Sequence, residues 1–277
     1  MDLGALFDLS DHGPDTFVGA GPRYPWGGLY GGQIVAQSLR AAARTVDPVF
    51  EPHSLRAYFI RRGDHTEPIR FEVDRIRNGR SFCTRRVVAR QAVGAILNLE
   101  ASFQQPEQTR VLQPVEMPTG LPGPDDCAGD TWTTSFQRRS VPEAALTGGP
   151  RLPNPTGRVA VWMRVADPVV DDELVHRCWL AYLSDDVPTD SVRRAIASDE
   201  GVDDVDTWWA GSFGASLDHT VWFHRPVRMD EWHLFDFSCH SYGGARGVSV
   251  GHVFTTAGEH VATVAQEVLI RRPRPTS

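Results

Sequence analysis

The fold is decided by residues 216–226, whose sequence is SLDHTVWFHRP. β-Branched and aromatic side chains fill this stretch and a proline ends it, which is typical of a β-strand. Because side chains alternate along a strand, one face is expected to be apolar with a single histidine, and it comprises Leu217, His219, Val221 and Phe223. The opposite face, with mixed polar groups that first indicate a site, comprises Ser216, Asp218, Thr220, Trp222 and His224.

A similar stretch lies upstream at residues 53–63, where the sequence is HSLRAYFIRRG and its Ser-Leu pair matches that of residues 216–217. Each copy is followed by a strand-like run, a Gly/Arg turn and two further strands. Glu100 and Gln266 lie at the same distance after an arginine of that turn, so they are predicted to correspond. A repeat of this length indicates two duplicated domains rather than a solenoid.

Composition limits the class of protein. A chain of 277 residues has room for two domains of ordinary size. The formal charge of −7 disfavours nucleic acid as a partner. The sequence lacks a long apolar run and a signal-peptide pattern, so we expect no membrane association. Four scattered cysteines without a CxxC motif favour reduced thiols and a cytoplasmic location.

The first half is predicted to contain one helix over residues 31–46, followed by strands at about 53–62, 68–77, 80–90 and 93–104. A long helix followed by an antiparallel sheet that curls around it is an α+β arrangement. Gly31 and Gly32 open the helix. They either leave backbone N–H groups for a developing oxyanion or serve only a tight turn. Arginines between residues 56 and 90 either hold phosphates or lie on solvated strand edges.

Residues 105–157 are rich in proline, so we expect a connector without long regular structure. The predicted division is therefore residues 1–110, a linker over 111–157, and residues 158–277. The second half begins with a predicted strand at 158–165 and a helix at 171–184. The acidic segment 186–213, which includes Trp208 and Trp209, is either a short helix over an apolar surface or a mobile lid.

Four motifs occur in a characteristic order along the chain: Gly31-Gly32-Gln33, LAYLSD at 180–185, the stretch 216–226, and Gln266-Glu267. Together they resemble the bacterial acyl-CoA thioesterase II (TesB) family over nearly the whole chain. The resemblance implies a tandem, or double, hotdog fold, in which two long helices are each wrapped by an antiparallel sheet. The C-terminal domain would carry the catalytic residues.

The resemblance also implies a site. In that family an Asp, a Ser or Thr and a Gln hold a hydrolytic water against the thioester carbonyl, and the matching residues here are Asp185, Ser216 and Gln266. The implied activity is hydrolysis of fatty acyl-CoA to free fatty acid and CoA, without cofactor or metal. A thiolate leaves easily because a thiol's pKa is about 8–9, so no strong general acid is needed.

Alternatives remain at this stage. Asp185 could merely end its helix, and Asp218 is a rival carboxylate. A hotdog dehydratase or hydratase would use His219 with Asp218 as acid and base. A catalytically impaired acyl-CoA binder is compatible with the acidic segment, which is longer and more charged than in the family.

Two further expectations concern metals and assembly. Six of the ten histidines fall between His219 and His260, but their irregular spacing argues against a metal site. Exposed sheet edges favour a homodimer or a higher homo-oligomer.

Overall fold

The computed structural model describes residues 3–146, 157–202, 204–205 and 209–272. Its first half contains a 3-10 turn at Leu3–Phe7, one α-helix and six strands. The order of these elements is β1 Ser10–Asp11, β2 Thr16–Gly19, α1 Gly31–Ala43, β3 Glu51–Phe59, β4 Ile69–Asn78, β5 Phe82–Gln91 and β6 Gly94–Gln104.

The connector contains only short elements within its described part. These are 3-10 turns at Pro124–Asp126 and Glu143–Ala145 and the strands β7 Ala128–Gly129 and β8 Phe136–Ser140. The described part of the second half includes two α-helices and six strands. They are β9 Arg158–Val165, α2 Glu173–Leu183, α3 Pro188–Asp199, β10 Phe213–Ser216, β11 Asp218–Phe223, β12 His233–Gly243, β13 Arg246–Thr255 and β14 His260–Arg271.

One continuous antiparallel sheet joins the two halves. Its strand order is β1-β2-β4-β5-β6-β3-β11-β14-β13-β12-β9-β8-β7, and β10 also pairs with β14. The junction is between β3 and β11, where Leu55 lies opposite Val221. The two similar stretches recognised in the sequence are therefore neighbouring strands at the centre of the sheet.

The helices α1 and α2 pack against each other in antiparallel orientation. A Cβ on Gly32 would lie 2.2 Å from the carbonyl oxygen of Tyr182, so the start of α1 touches the end of α2. At the opposite ends, Arg40 lies 4.0 Å from Asp172. All side chains from His176 to Leu183 are buried, because this part of α2 is enclosed by α1 and the sheet. Both helices contribute to one hydrophobic core.

Both helices differ slightly at their ends from the predicted ranges. The first ends at Ala43 rather than at residue 46, because the N–H of Thr45 bonds the carbonyl of Ala42 in a tightened last turn. The second begins after Asp172, whose side chain accepts hydrogen bonds from Leu174 and Val175.

The acidic segment contains a helix over an apolar surface, which was one of its two predicted forms. Val192 and Ile196 of α3 pack against Val268 and Ile270 of β14. Ser191 forms a buried 2.7 Å hydrogen bond with Ser249 of β13. Trp208, which the prediction also included, lies outside the described residues.

The predicted alternation of residues 216–224 is wrong at its start. Ser216 pairs with Val268, whereas Thr220 pairs with Ala265, so the β10–β11 side contains one extra residue. Such a bulge reverses which face later side chains occupy. It places Ser216 on the same inner face as His219, while Asp218 points to the outer face.

The predicted correspondence of Glu100 with Gln266 is also wrong. Glu100 is exposed on β6, between the buried residues Leu99 and Ala101. Gln266 is buried on β14, with 1% of its surface exposed. Two side chains on opposite faces of equivalent strands cannot serve the same site. The equal spacing in the sequence was therefore coincidental.

Candidate active site

A buried carboxylate lies where the start of α1 meets the end of α2. It belongs to Asp185, two residues after the last residue of α2, and only 8% of this residue is exposed. The backbone N–H of Gly32 donates a hydrogen bond to it. A helix N-terminus favours negative charge through its unpaired N–H groups and its dipole. The two halves of the chain thus build this position together.

Glycine is required on the α1 side of this contact. A Cβ on Gly31 would lie 2.6 Å from Oδ2 of Asp185, and a Cβ on Gly32 would overlap the carbonyl oxygen of Tyr182. The residue before the helix, Tyr30, makes no side-chain capping bond. Its hydroxyl instead donates to the carbonyl of Tyr182 at 2.8 Å. The N-terminus of α1 is therefore left for the carboxylate.

The three residues predicted for the site meet at this point. Ser216 Oγ donates to Asp185 Oδ1 at 3.3 Å, and Gln266 Nε2 donates to Ser216 Oγ at 2.8 Å. Gln266 also contributes a hydrogen bond to the carboxylate. The three side chains come from the end of α2, from β10 and from β14. A water molecule held by such a set would contact both a proton acceptor and fixed donors.

Burial raises the pKa of Asp185 to about 7. Hydrogen bonds from Gly32 and Ser216 oppose this rise, whereas the neighbouring charge of Asp186 adds to it. A carboxyl group with a pKa close to neutral pH is suited to act as a general base, because it accepts a proton readily while still being substantially ionised.

Asp186 has different surroundings, although it follows directly in the sequence. Its carboxylate accepts a 2.6 Å hydrogen bond from Trp132 and lies 2.9 Å from the guanidinium of Arg138. Burial raises the pKa of Asp186, and Arg138 counteracts that rise. Both partners come from the connector, so Asp186 fixes the connector to the end of α2 and is not the group poised to accept a proton.

The rival carboxylate lies elsewhere. Asp218 Oδ1 accepts a 2.7 Å hydrogen bond from the backbone of Glu267, and Oδ2 lies 3.8 Å from Arg56. Asp218 therefore holds neighbouring strands together on the outer face. It does not pair with His219, which points inward. The N–H of Gly32 faces the carboxylate of Asp185. The role of backbone N–H groups near Gly31 and Gly32 as oxyanion donors stays a prediction.

The predicted catalytic set did not include His219 and Ser184, which extend this network, although His219 was considered as part of the dehydratase alternative. His219 is fully buried, its Nδ1 lies 2.5 Å from Gln266 Oε1, and its Nε2 lies 2.9 Å from Ser184 Oγ. The signal that could have identified His219 was its position as the single polar residue of an otherwise apolar strand face.

Among the described residues, no group of three or more His, Cys, Asp or Glu side chains could hold a metal ion. A surface groove of about 560 Å³ is lined by Arg225, His260 and Thr263, and it lies along the part of β14 that precedes Gln266. None of the helices in the described ranges is long and apolar enough to cross a membrane.

Both halves of the chain match models of one enzyme family. Residues 21–104 match the acyl-CoA thioesterase N-terminal domain, and residues 109–270 match the acyl-CoA thioesterase C-terminal domain. Acyl-coenzyme A thioesterase 8 of Homo sapiens is 31% identical over 96% of this chain and 88% of its own length. Acyl-CoA thioesterase 2 of Haemophilus influenzae is 29% identical over 88% of this chain and 87% of its own length.

Solved structures agree with these matches. The acyl-CoA thioesterase II TesB2 of Mycobacterium marinum has a TM-score of 0.85 and 37% identity, with 99% of this chain and 100% of that chain covered. A hot dog fold protein of Alicyclobacillus acidocaldarius has a TM-score of 0.76 at 19% identity, with 99% of each chain covered, and supports the fold alone. The chain therefore belongs to the TesB-type acyl-CoA thioesterase family and is a thioester hydrolase with a hotdog fold.

Proposed function

We propose that this enzyme hydrolyses fatty acyl-CoA with a water molecule activated by Asp185, Ser216 and Gln266. The observation that carries the proposal is the meeting of these three side chains at the uncapped N-terminus of α1. The contact between Gly32 and Asp185 adds support, because it fixes the carboxylate from the other half of the chain.

In the proposed reaction, Asp185 takes a proton from water as the water oxygen bonds to the thioester carbonyl carbon. Ser216 and Gln266 hold the water so that one lone pair faces that carbon. The tetrahedral intermediate then collapses, the C–S bond breaks, and the electron pair leaves with the CoA thiolate. The proton held by Asp185 is released to the thiolate or to solvent, which restores the base.

The geometry disfavours the dehydratase alternative. That reaction would use His219 and Asp218 as an acid–base pair, yet the two side chains lie on opposite faces of β11. Burial also lowers the pKa of His219 to about 4, although its bond to Gln266 opposes the change. An imidazole that stays neutral at physiological pH is a poor general acid.

We also propose the finer organisation that the family resemblance implies. The two halves are tandem hotdog domains, with boundaries near residues 1–110 and 158–277 and a linker between them. We further propose a cytoplasmic homo-oligomer that acts in fatty acid metabolism. Exposed aromatic side chains on β3 and β11, Tyr58 and Trp222, provide an apolar outer surface for self-association.

A pair of carboxylate variants tests the proposed base. Release of CoA from a series of acyl-CoA substrates is followed with a thiol reagent for the wild type, Asp185→Asn and Asp218→Asn. We expect Asp185→Asn to lower kcat by about 10²–10⁴-fold while the protein stays folded. Asp218→Asn should keep kcat within about threefold, since its partners are structural.

If Asp218→Asn lowers kcat strongly while Asp185→Asn does not, Asp218 is the base. Turnover of 3-hydroxyacyl-CoA without release of CoA would favour the dehydratase reading. If the wild type binds acyl-CoA in calorimetry but releases no thiol, the protein is a binder and the proposed reaction is wrong.

A further inference from the structure

His219 is the second of five residues in a chain of four buried or half-buried hydrogen bonds that ends at Asp185. Its neighbours along this chain are Ser184 on one side and Gln266 on the other, followed by Ser216. The imidazole is completely buried. Since burial lowers its pKa to about 4, the imidazole has one N–H donor and one lone pair at neutral pH.

The partners determine which nitrogen carries the hydrogen. The oxygen of an amide can only accept, so Nδ1 of His219 must donate to Gln266 Oε1. Nε2 then presents its lone pair to Ser184 Oγ at 2.9 Å, a hydroxyl that also donates to the carbonyl of Ala181 at 3.1 Å. The amide of Gln266 consequently turns its NH₂ group toward Ser216, which leaves the hydroxyl hydrogen of Ser216 for Asp185.

The other amide orientation gives a different network. If the NH₂ group of Gln266 faced His219, the amide oxygen would face Ser216 and attract its hydroxyl hydrogen. Asp185 would then lose the donor that lowers its pKa. The tautomer of His219 therefore determines which way the amide of Gln266 faces. Only with hydrogen on Nδ1 does the NH₂ group of Gln266 face Ser216, so that the hydroxyl of Ser216 donates to Asp185.

We propose that His219 is a positioning residue whose Nδ1–H fixes the amide of Gln266 and thereby directs Ser216 toward Asp185. This assignment rests on the proposed function of Asp185 as the base. It adds His219, which lies behind Gln266 and is not one of the three side chains proposed to hold the water.

Two substitutions of His219 separate its two nitrogens. His219→Asn places an amide N–H near the position of Nδ1, and His219→Gln places its amide near the position of Nε2. We expect His219→Asn to keep kcat within about fivefold, whereas His219→Gln lowers kcat by about 30–100-fold with KM changed less than twofold.

The pH profile provides a readout that a purely structural role would not move. In His219→Gln, Asp185 loses the hydrogen bond from Ser216, so its pKa should rise. The acid limb of the kcat profile, where kcat declines on the acidic side, should therefore shift to higher pH by about half a pH unit or more. The matched control is His233→Gln, since His233 is also a buried histidine of the second half, and its Nδ1 bonds the backbone carbonyl of Glu231 outside this network. That control should leave both kcat and the acid limb unchanged.

Nuclear magnetic resonance tests the same assignment without any substitution. In ¹⁵N-histidine-labelled wild-type protein, His219 should carry its hydrogen on Nδ1 and should not titrate between about pH 5.5 and 8. Hydrogen on Nε2, or a His219→Gln variant with unchanged kcat and acid limb, would overturn the proposal. If Asp185→Asn keeps full activity, the proposed base is wrong, while the tautomer still decides the role of His219.

Discussion

The two ends of the antiparallel helix pair carry different side chains. We call the end with Gly31, Gly32 and Asp185 the open end, and the end with Thr45 and Asp172 the closed end. Thr45 follows the last residue of α1 by two positions, as Asp185 follows the last residue of α2. One end presents a carboxylate to an uncapped helix, and the other presents a hydroxyl.

Internal partners occupy the closed end. The guanidinium of the buried Arg85 donates to Thr45 Oγ1 at 2.7 Å and to the Thr45 carbonyl at 2.9 Å. Asp172 caps its own helix by accepting from Leu174 N at 2.9 Å. Groups that could attract a substrate or water are therefore already satisfied. The two ends therefore differ in that Asp185 lies at a helix N-terminus without a side-chain cap, whereas Thr45 is bonded by the guanidinium of Arg85.

The largest expected difference between the ends is their response to pH. Between pH 4 and 7 the native state binds more protons at Asp185 than the unfolded state does, because the native pKa is raised from 3.8 to about 7. This group therefore makes stability fall as pH rises, by roughly 3–4 kcal/mol over that range. Asp185→Asn should remove this fall in stability between pH 4 and 7. The closed end has no such effect at Thr45, because a hydroxyl does not titrate in this range.

Urea unfolding of the wild type and Asp185→Asn at several pH values measures this effect. The comparison must be between the two proteins, since His219 and His233 have pKa values lowered to about 4 and act in the opposite direction. If the free energy of unfolding changes with pH in the same way in both proteins, the pKa of Asp185 is not raised. The same ionisation predicts that kcat of the wild type falls about tenfold per pH unit well below pH 7.

The next largest effect concerns the first residue of each helix. Gly31→Ala would place a Cβ 2.6 Å from Oδ2 of Asp185 and force the carboxylate to move. A displacement of about 1 Å at a catalytic group costs roughly 10²-fold in rate, so we expect a loss of that order in kcat. The measurement is steady-state hydrolysis of acyl-CoA together with a melting curve.

The equivalent first residue of α2 supplies the control. Glu173→Ala removes an exposed ion-pair partner of Arg177 and should leave kcat within about twofold. Equal losses of activity in Gly31→Ala and Glu173→Ala would mean that both ends contribute to catalysis, and the distinction between them would fail.

The smallest effect is expected at the cap of the closed end. Asp172→Ala removes the acceptor for Leu174 and Val175 and should lower the free energy of unfolding by about 1 kcal/mol. Its kcat should stay unchanged, because the cap serves stability alone. A decrease in kcat without a decrease in stability would show that the closed end communicates with the site.

Much of the fold could be predicted from sequence patterns. The helical periodicity of residues 31–46 and the proline-rich connector are local features, and both were placed within a few residues. The bulge before Asp218 could not be predicted, because it depends on the register with β14 rather than on the strand's own residues. That single inserted residue decides that Ser216, and not Asp218, faces Gln266.

The site was predictable only in part for the same reason. Asp185, Ser216 and Gln266 could be named because family motifs surround them. The contact of Asp185 with Gly32 joins residues from different halves of the chain, and no local pattern encodes it. The role of His219 likewise depends on which two side chains meet its nitrogens, which follows only from the packed structure.

The covalent connection between the two halves has an evolutionary consequence. If two identical chains formed this helix pair, any replacement would appear twice, and both ends would have to be reactive or both inert. Residues 105–157 place both halves in one polypeptide. A replacement in one half therefore leaves the other half unchanged, so the proposed site can be confined to one end of the helix pair.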